Sequence, residues 1–181
     1  MRTTLFTNVR IIDGSGAAPY SGSVLVEGKR IKQISRSVAP VSAGDALQID
    51  AAGATLMPGM CEAHTHFSWN NAANLAGIQT MPLEEHVLWS AKVAKIYLEA
   101  GWTSCVGAAC AKPRLDVVIR NAINSGQIPG PRYLAASQEI TVPGALGDET
   151  LPHLPFPEFS FGANVNGAED MRKTVRLFLK Y

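Results

Sequence analysis

The sequence predicts an α/β protein, and three observations lead to that fold class. Strand-like segments fill the first fifty-odd residues, strands and helices alternate from Leu56 onward, and 46% of the 181 residues are hydrophobic while 17% are charged. Soluble domains carry about 25% charged residues, so this chain can bury a large core. Strands that alternate with helices are typical of parallel βαβ units.

The N-terminal region, residues 1–55, is predicted to form short strands. β-Branched and aromatic residues run through TLFTNVRII and stop at DGSG, and the segments SVLVEG and KRIKQIS flank a Gly-Lys turn. Two such segments around a tight turn indicate a β-hairpin. Because LQID adds another short strand, we expect residues 1–55 to form a small sheet of their own.

The region 56–181 is predicted to contain three strand–helix repeats. Its apolar strands are LMPGMCEAH, TSCVGAAC and RYLAAS. Pro82 opens the first helix, in which Val87, Ala91, Ala94 and Leu98 recur at helical spacing, and RLDVVIRNAINSG and AEDMRKTVRLFLKY give two further helices. A Pro- and Gly-rich stretch, 140–167, follows the third strand, where the active-site loops of α/β barrels lie. It is predicted to be functional, with strands or helices that the pattern misses as the alternative.

Charge and composition narrow the ligands that we expect. Sixteen basic and fifteen acidic residues give a formal net charge of +1, so we expect neither nucleic acid nor an anionic membrane as a partner. The sequence contains no apolar run typical of a secretory signal or a membrane span, which predicts a soluble cytoplasmic protein. The three cysteines, Cys61, Cys105 and Cys110, are predicted to be reduced thiols that pack in the core.

The motif MPGMCEAHTHF places two of the four histidines at the end of an apolar strand. Side chains alternate between the faces of a strand, so His64 and His66 should point the same way, together with Met60 and Glu62. Paired neutral imidazoles are good zinc ligands, although each ring could instead have an ordinary hydrogen-bond partner. Glu62 could orient an imidazole or could be a satisfied interior acid.

The remaining candidate residues are the other two histidines and a group of aromatic residues. His153, in the long loop, is predicted to contact substrate, with an ordinary loop histidine as the alternative. His86 is predicted to have a surface or helix-packing role. Aromatic side chains near the same face could line an apolar pocket or pack within the loop, namely Trp69, Phe156, Phe159 and Phe161.

Three segments carry a family resemblance. GATLMPGMCEAHTHF resembles the first barrel strand of the metal-dependent amidohydrolase superfamily, and AGWTSCVGAA resembles its second strand. VIRNAINSGQIPGPRYLAASQEIT is similar to the helix, turn and third strand of the prolidase-like and imidazolonepropionase-like branch. The resemblance extends from Leu5 to Tyr181. It implies a (β/α)8 TIM-like barrel, of which the chain holds the first three βα units, preceded by part of a small β-sandwich.

The resemblance also implies a metal site that this chain fills only in part. His64 and His66 match the two histidines that bind the more buried metal, which predicts a divalent ion, zinc or a similar metal, in one or two copies. The chain contains no catalytic residue of the family, because the lysine, two histidines and aspartate that complete such a site belong to later strands. Lys180 is not that lysine, since it lies in a helical run. Ala145 and Leu146 stand where relatives often have a histidine.

The predicted function is therefore hydrolysis of a C–N bond by a metal-activated water, in a small, fairly apolar amide, urea or carbamate. Deamination or dehalogenation of a ring at a single metal, or a non-catalytic barrel that serves as an assembly module, are the alternatives. A complete barrel takes about 250 residues, roughly twice the length of region 56–181. We therefore expect a complementary C-terminal segment or chain to complete the barrel, and we expect the enzyme to be a homo-oligomer.

Overall fold

The computed structural model of the protein describes residues 2–36, 41–153 and 162–181. The chain divides into two compact units, Met1–Pro58 and Gly59–Tyr181. Within the described ranges, no helix combines the length and the apolar character that crossing a membrane requires.

The first unit is a sheet of five strands: β1 (Thr3–Ile11), β2 (Tyr20–Glu27), β3 (Arg30–Ser35), β4 (Leu47–Asp50) and β5 (Thr55–Leu56). The order is β3-β2-β1-β4, and β5 also pairs with β1. The antiparallel pairing of β2 with β3 confirms the predicted hairpin. Gly28 supplies the positive φ of its turn, +60°. β4 and β5 run parallel to β1, which the sequence pattern did not indicate.

The second unit begins with a parallel sheet of order β6-β7-β8, and this confirms the predicted βαβ alternation. Its strands are β6 (Met60–Thr65), β7 (Trp102–Gly107) and β8 (Arg132–Leu134). The predicted strand LMPGMCEAH is divided, because Pro58 and Gly59 separate β5 from β6. Proline lacks the N–H that a sheet ladder needs, so a break at this position is expected.

Helices connect these strands as the spacing predicts. α2 (Leu83–Glu99) begins after Pro82 and ends before Gly101, whose φ is +92°. α3 (Leu115–Asn124) ends before Gly126, with φ +75°. Glycine adopts such angles without steric cost, so both helices end where the sequence indicates. A short helix, α1 (Leu75–Gln79), precedes α2 and was not predicted.

The core of the second unit lies between the sheet and its helices. Its buried members are Phe67, Ala94, Cys105, Ile119 and Tyr133. Cys105 and Cys110 are buried, as predicted for packing residues, but Cys61 is exposed. The prediction for Cys61 was wrong because its neighbour across the sheet, Ser104, belongs to the face that the helices do not cover.

The described part of the long Pro- and Gly-rich stretch contains two short strands that the sequence did not suggest. β9 (Glu139–Thr141) and β10 (Gly162–Asn164) form a small parallel pair, and α4 (Ala168–Leu179) follows. Asp148 connects the turn after β9 to β10, because its carboxylate accepts hydrogen bonds from Gly144 N at 2.7 Å and Asn164 Nδ2 at 2.7 Å. The predicted aromatic residues Phe156, Phe159 and Phe161 lie outside the described residues.

Candidate functional site

The end of β6 carries the candidate site. The pairing of β6 with β7 shifts register between Glu62 and Thr65. Beyond the shift, Thr65 is buried and faces the helices, so His64 and His66, on either side of it, face the other way. The predicted common direction of the two histidines is therefore found in the structure.

The two imidazoles meet through their Nε2 atoms. His64 Nε2 and His66 Nε2 are 3.2 Å apart, and the ring centroids are 5.0 Å apart with the planes near perpendicular. His64 is exposed, whereas His66 is half-buried. One ring nitrogen of each histidine is thus directed at the same point in space.

The other nitrogen of His66 is fixed by the backbone. Nδ1 donates to the carbonyl oxygen of Ala109 at 3.1 Å. A carbonyl only accepts hydrogen bonds, so the proton resides on Nδ1 and Nε2 keeps its lone pair. Trp69 stacks on the His66 ring, with centroids 4.1 Å apart and planes inclined by 25°. His66 is therefore held in the tautomer and orientation of a metal ligand.

Glu62 does not share the histidine face, contrary to the simple alternation of a strand. It pairs with Cys105 and lies in a shallow depression beside Ile96 and Tyr97 of α2. Its Oε1 accepts a hydrogen bond from the backbone N–H of His64 at 3.2 Å. The register shift between Glu62 and Thr65 is the physical cause. An extra, unpaired residue in one strand makes the side chains before it point to the opposite face from the one that strict alternation predicts. Glu62 therefore supports the backbone and not an imidazole ring.

A buried polar chain supports the strand end from the helix side. Thr65 Oγ1 donates to Val106 O at 2.9 Å, and the Tyr133 hydroxyl donates to Asp116 Oδ2. Burial raises the pKa of Asp116 to about 6, which the hydrogen bonds from Tyr133 and the Ala136 N–H only partly oppose. A Cβ at Gly107 would lie 2.7 Å from both Asp116 Oδ2 and the Tyr133 hydroxyl. Any other residue at this position would therefore displace the two hydrogen-bonded side chains.

The predicted substrate residue, His153, lies in a turn of the long segment. It is exposed, and no hydrogen bond or ring contact between described residues joins it to the histidine pair. The structure thus brings together His64 and His66 and leaves His153 separate.

The histidine pair fits a metal ion in geometry and in donor chemistry. Two imidazole ligands of a tetrahedral zinc, at about 2.0–2.1 Å each, place their nitrogens roughly 3.3–3.4 Å apart. The observed separation is 3.2 Å. Within residues 2–36, 41–153 and 162–181, no group of three or more His, Cys, Asp or Glu side chains could hold a metal. The pair could therefore supply two ligands of such an ion.

The sequence did not reveal several residues that build the site. Ala109 acts through its carbonyl oxygen, which no residue type encodes, and Asp116 reads as an ordinary acid in the first turn of a helix. The sequence predicts a surface or helix-packing role for His86, and the structure buries this residue completely. An acid within the apolar pattern of α3 is the one local signal that could have drawn attention to Asp116.

Comparison with known proteins identifies related sequences over part of the chain. No protein-family model matches it. The dihydroorotase of Streptococcus thermophilus (strain CNRZ 1066) is 36% identical over 63 residues, which are 35% of this chain and 14% of that protein. The dihydroorotase of Wolbachia sp. subsp. Drosophila simulans (strain wRi) is 40% identical over 62 residues, 34% of this chain and 14% of that protein.

Solved structures match nearly the whole chain. A prolidase complexed with N-methylphosphonate-L-proline is 25% identical with a TM-score of 0.82, covering 98% of this chain and 44% of that one. Phenylurea hydrolase B is 25% identical with a TM-score of 0.65, covering 77% of this chain and 31% of that one. The chain spans less than half the length of these solved relatives. The chain is thus similar to amidohydrolases and prolidases, of which it spans less than half.

Proposed function

We propose that this chain provides the first two metal ligands of an enzyme that hydrolyses C–N bonds. The observation that carries the proposal is the convergence of His64 Nε2 and His66 Nε2 at 3.2 Å, with His66 Nδ1 bound to the Ala109 carbonyl. That arrangement leaves a lone pair on His66 Nε2, which a cation would bind in place of the contact with His64. Similarity to a prolidase, to phenylurea hydrolase B and, over 63 residues, to a dihydroorotase supports hydrolysis of a C–N bond as the reaction.

The metal that suits this pair is zinc or a similar first-row divalent ion, in one or two copies, because imidazole is a preferred ligand of such ions. When bound, the ion acts as a Lewis acid and lowers the pKa of water toward neutrality. His64 and His66 hold the ion and take no part in proton transfer. Catalytic acids and bases come from residues that this chain does not contain.

The substrate class that we infer is a small, fairly apolar amide, urea or carbamate. Trp69, stacked on His66 at 4.1 Å, places an apolar ring beside the metal ligands. Phenylurea hydrolase B, one of the structural relatives, is named for a substrate with an aryl group and a urea. His153 is proposed to contact substrate from the long segment after β9.

The architecture that we propose is a (β/α)8 barrel that a second segment completes. Region 59–181 contributes three parallel strands, and the first unit is assigned to part of a small β-sandwich. Leu134 of β8 is 68% exposed, on the face that also carries His64. Covering such a face requires further strands, in the same polypeptide or in a partner chain, which would supply a lysine, two histidines and an aspartate to the site.

Metal analysis of the complete protein tests the proposal. We expect His64→Ala combined with His66→Ala to abolish zinc retention during gel filtration, because both ligands of this chain are removed. His153→Ala serves as the matched control, since it also removes a histidine but should leave the metal content unchanged. Equal zinc content in the double variant and the wild type would exclude the site.

The substrate proposal needs a separate assay. We expect N-aryl ureas and N-alkyl amides to be hydrolysed faster than charged dipeptides by the zinc-loaded complete enzyme, because an aromatic ring lies next to the metal ligands. A strong preference for charged dipeptides would contradict the apolar substrate class and leave the metal site intact.

A further inference from the structure

A third histidine, His86, is buried in contact with the segment that follows the histidine pair. His86, in the first turns of α2, is 0% exposed. Its Nε2 donates to the carbonyl oxygen of Ser68. The opposite nitrogen, Nδ1, is buried and has no hydrogen-bond partner among the described residues. A residue needed only to fill space would not leave a bare ring nitrogen in the core, where an unpaired polar atom costs stability. The ring is therefore held by one hydrogen bond among the described residues, the bond to Ser68 O.

Ser68 connects His86 to the loop that follows β7. Its Oγ accepts a hydrogen bond from Ala111 N at 2.8 Å, and Ser68 and Ala111 are 0% and 1% exposed. Residues 108–111 form the segment that carries the Ala109 carbonyl, the acceptor for His66 Nδ1. A backbone bond from Ala108 N to Thr65 O, 2.8 Å long, fixes the other end of this segment.

These contacts form a closed path around His66. One branch runs along the chain from His66 to Ser68, whose carbonyl is held by His86. The other branch returns from Ser68 Oγ through Ala111 and Ala109 to His66 Nδ1. Movement of Ser68 would therefore displace the segment 108–111 and lengthen the hydrogen bond from His66 Nδ1 to Ala109 O.

We propose that His86 is a positioning residue that, through Ser68, holds His66 as the Nδ1–H tautomer with its Nε2 lone pair directed at the metal. This inference rests on the proposed metal function of His66. Partners that orient metal ligands from outside the coordination shell change metal affinity about 10–100-fold when they are removed. Burial keeps the pKa of His86 below its usual value, so the ring stays neutral and its one proton is available for Ser68.

The test uses the complete protein and two substitutions of the same residue. His86→Leu fills a similar volume without a donor, whereas His86→Gln offers an amide N–H near the position of Nε2. Long-range ¹H–¹⁵N NMR on the metal-free protein at about pH 9, where an imidazole is neutral, reports the tautomer of His66, assigned by comparison with His66→Ala. Zinc affinity is measured by chelator competition.

We expect His66 to be a single Nδ1–H tautomer in the wild type and a mixture of tautomers in His86→Leu. We also expect the zinc Kd of His86→Leu to rise about 10–100-fold and the Gln variant to restore most of the affinity. A single unchanged tautomer with a Kd within about twofold of wild type would overturn the proposal, even if His86→Leu melts at a lower temperature. An equal loss in His86→Gln would overturn it as well.

A second variant keeps the test decisive if His86→Leu does not fold. Ser68→Ala removes only the hydrogen bond between Ser68 Oγ and Ala111 N and should produce the same mixture of His66 tautomers. An unchanged His66 tautomer in Ser68→Ala would overturn the proposed connection through Ser68. The tautomer measurement needs no metal, so it separates the two proposals. Zinc content that is insensitive to loss of His64 and His66 would refute the metal function alone, whereas an unchanged tautomer in these variants would refute the role of His86 alone.

Discussion

The two faces of the β6-β7-β8 sheet differ in what covers them. On the helix side, Thr65, Cys105 and Tyr133 are at most 4% exposed and pack under α2 and α3. On the opposite side, Leu134 is 68% exposed, and His64 is exposed as well. The same three strands thus carry a closed core on one face and candidate ligands on the other.

This difference explains how the two histidines are held at the end of β6. Thr65, between the two histidines, is fixed from the helix side by its bond to Val106 O. His66 is fixed by Ala109 and stacks on Trp69. Rigidity therefore comes from the packed face, while the open face presents two ring nitrogens. Four predictions test this contrast, in order of decreasing effect on stability.

The largest effect should come from the packed face. Phe67 is 0% exposed, stacks on Tyr133 at 4.3 Å and lies 5.2 Å from Tyr97. We expect Phe67→Ala to lower the free energy of unfolding by about 3–5 kcal/mol, because it leaves a cavity in the core. Urea unfolding followed by circular dichroism measures the change. A loss below about 1 kcal/mol would show that this core is not closed.

The buried carboxylate should make stability depend on pH. Because burial raises the pKa of Asp116 from 3.8 to about 6, the folded protein binds more protons than the unfolded chain in this range. Stability from this group is thus present below about pH 4 and is lost as the pH rises through 6, by up to about 3 kcal/mol.

Asp116→Asn should remove that loss, so that the variant gains stability over the wild type between about pH 4 and 7. Unfolding curves at several pH values measure the difference. The pKa of His86 is lowered by burial, which gives a slope of opposite sign, but this contribution is common to both proteins and cancels. Identical pH slopes for the two proteins would contradict the prediction.

The open face should tolerate truncation in the 181-residue chain. We expect Leu134→Ala to change its unfolding free energy by no more than about 0.5 kcal/mol, because the side chain is 68% exposed. In the complete protein, where Leu134 is expected to be covered, the same truncation should lower the free energy of unfolding by about 2–5 kcal/mol. Paired urea unfolding of both forms compares the two values. Equal small losses would show that no further segment covers this face.

Thiol labelling contrasts the faces with almost no effect on stability. Cys61 is exposed, whereas Cys105 and Cys110 are buried and burial raises the pKa of both thiols to about 11. Only thiolates react with iodoacetamide, so the native chain should be alkylated at Cys61 alone, and at all three sites in denaturant. Peptide mass spectrometry identifies the sites. Native modification of Cys105 would mean that the helix face opens readily.

The sequence determined the features that depend on local patterns. Hydrophobic spacing predicted α2, α3 and the hairpin of β2 with β3, and these are present. Strand periodicity predicted that His64 and His66 share a direction, and their Nε2 atoms meet at 3.2 Å. Such features are encoded within a few residues, because burial on one side of a strand or helix repeats at its own period.

Only the tertiary structure decided which groups support the site. The register shift that turns Glu62 toward α2 arises from the pairing of β6 with β7, and the partner of His66 is a backbone carbonyl 43 positions along the chain. His86 and Ser68 meet across 18 positions in the buried interior. No periodic pattern records such pairs, since a hydrogen bond between distant segments depends on how the elements pack and not on the residues beside each partner.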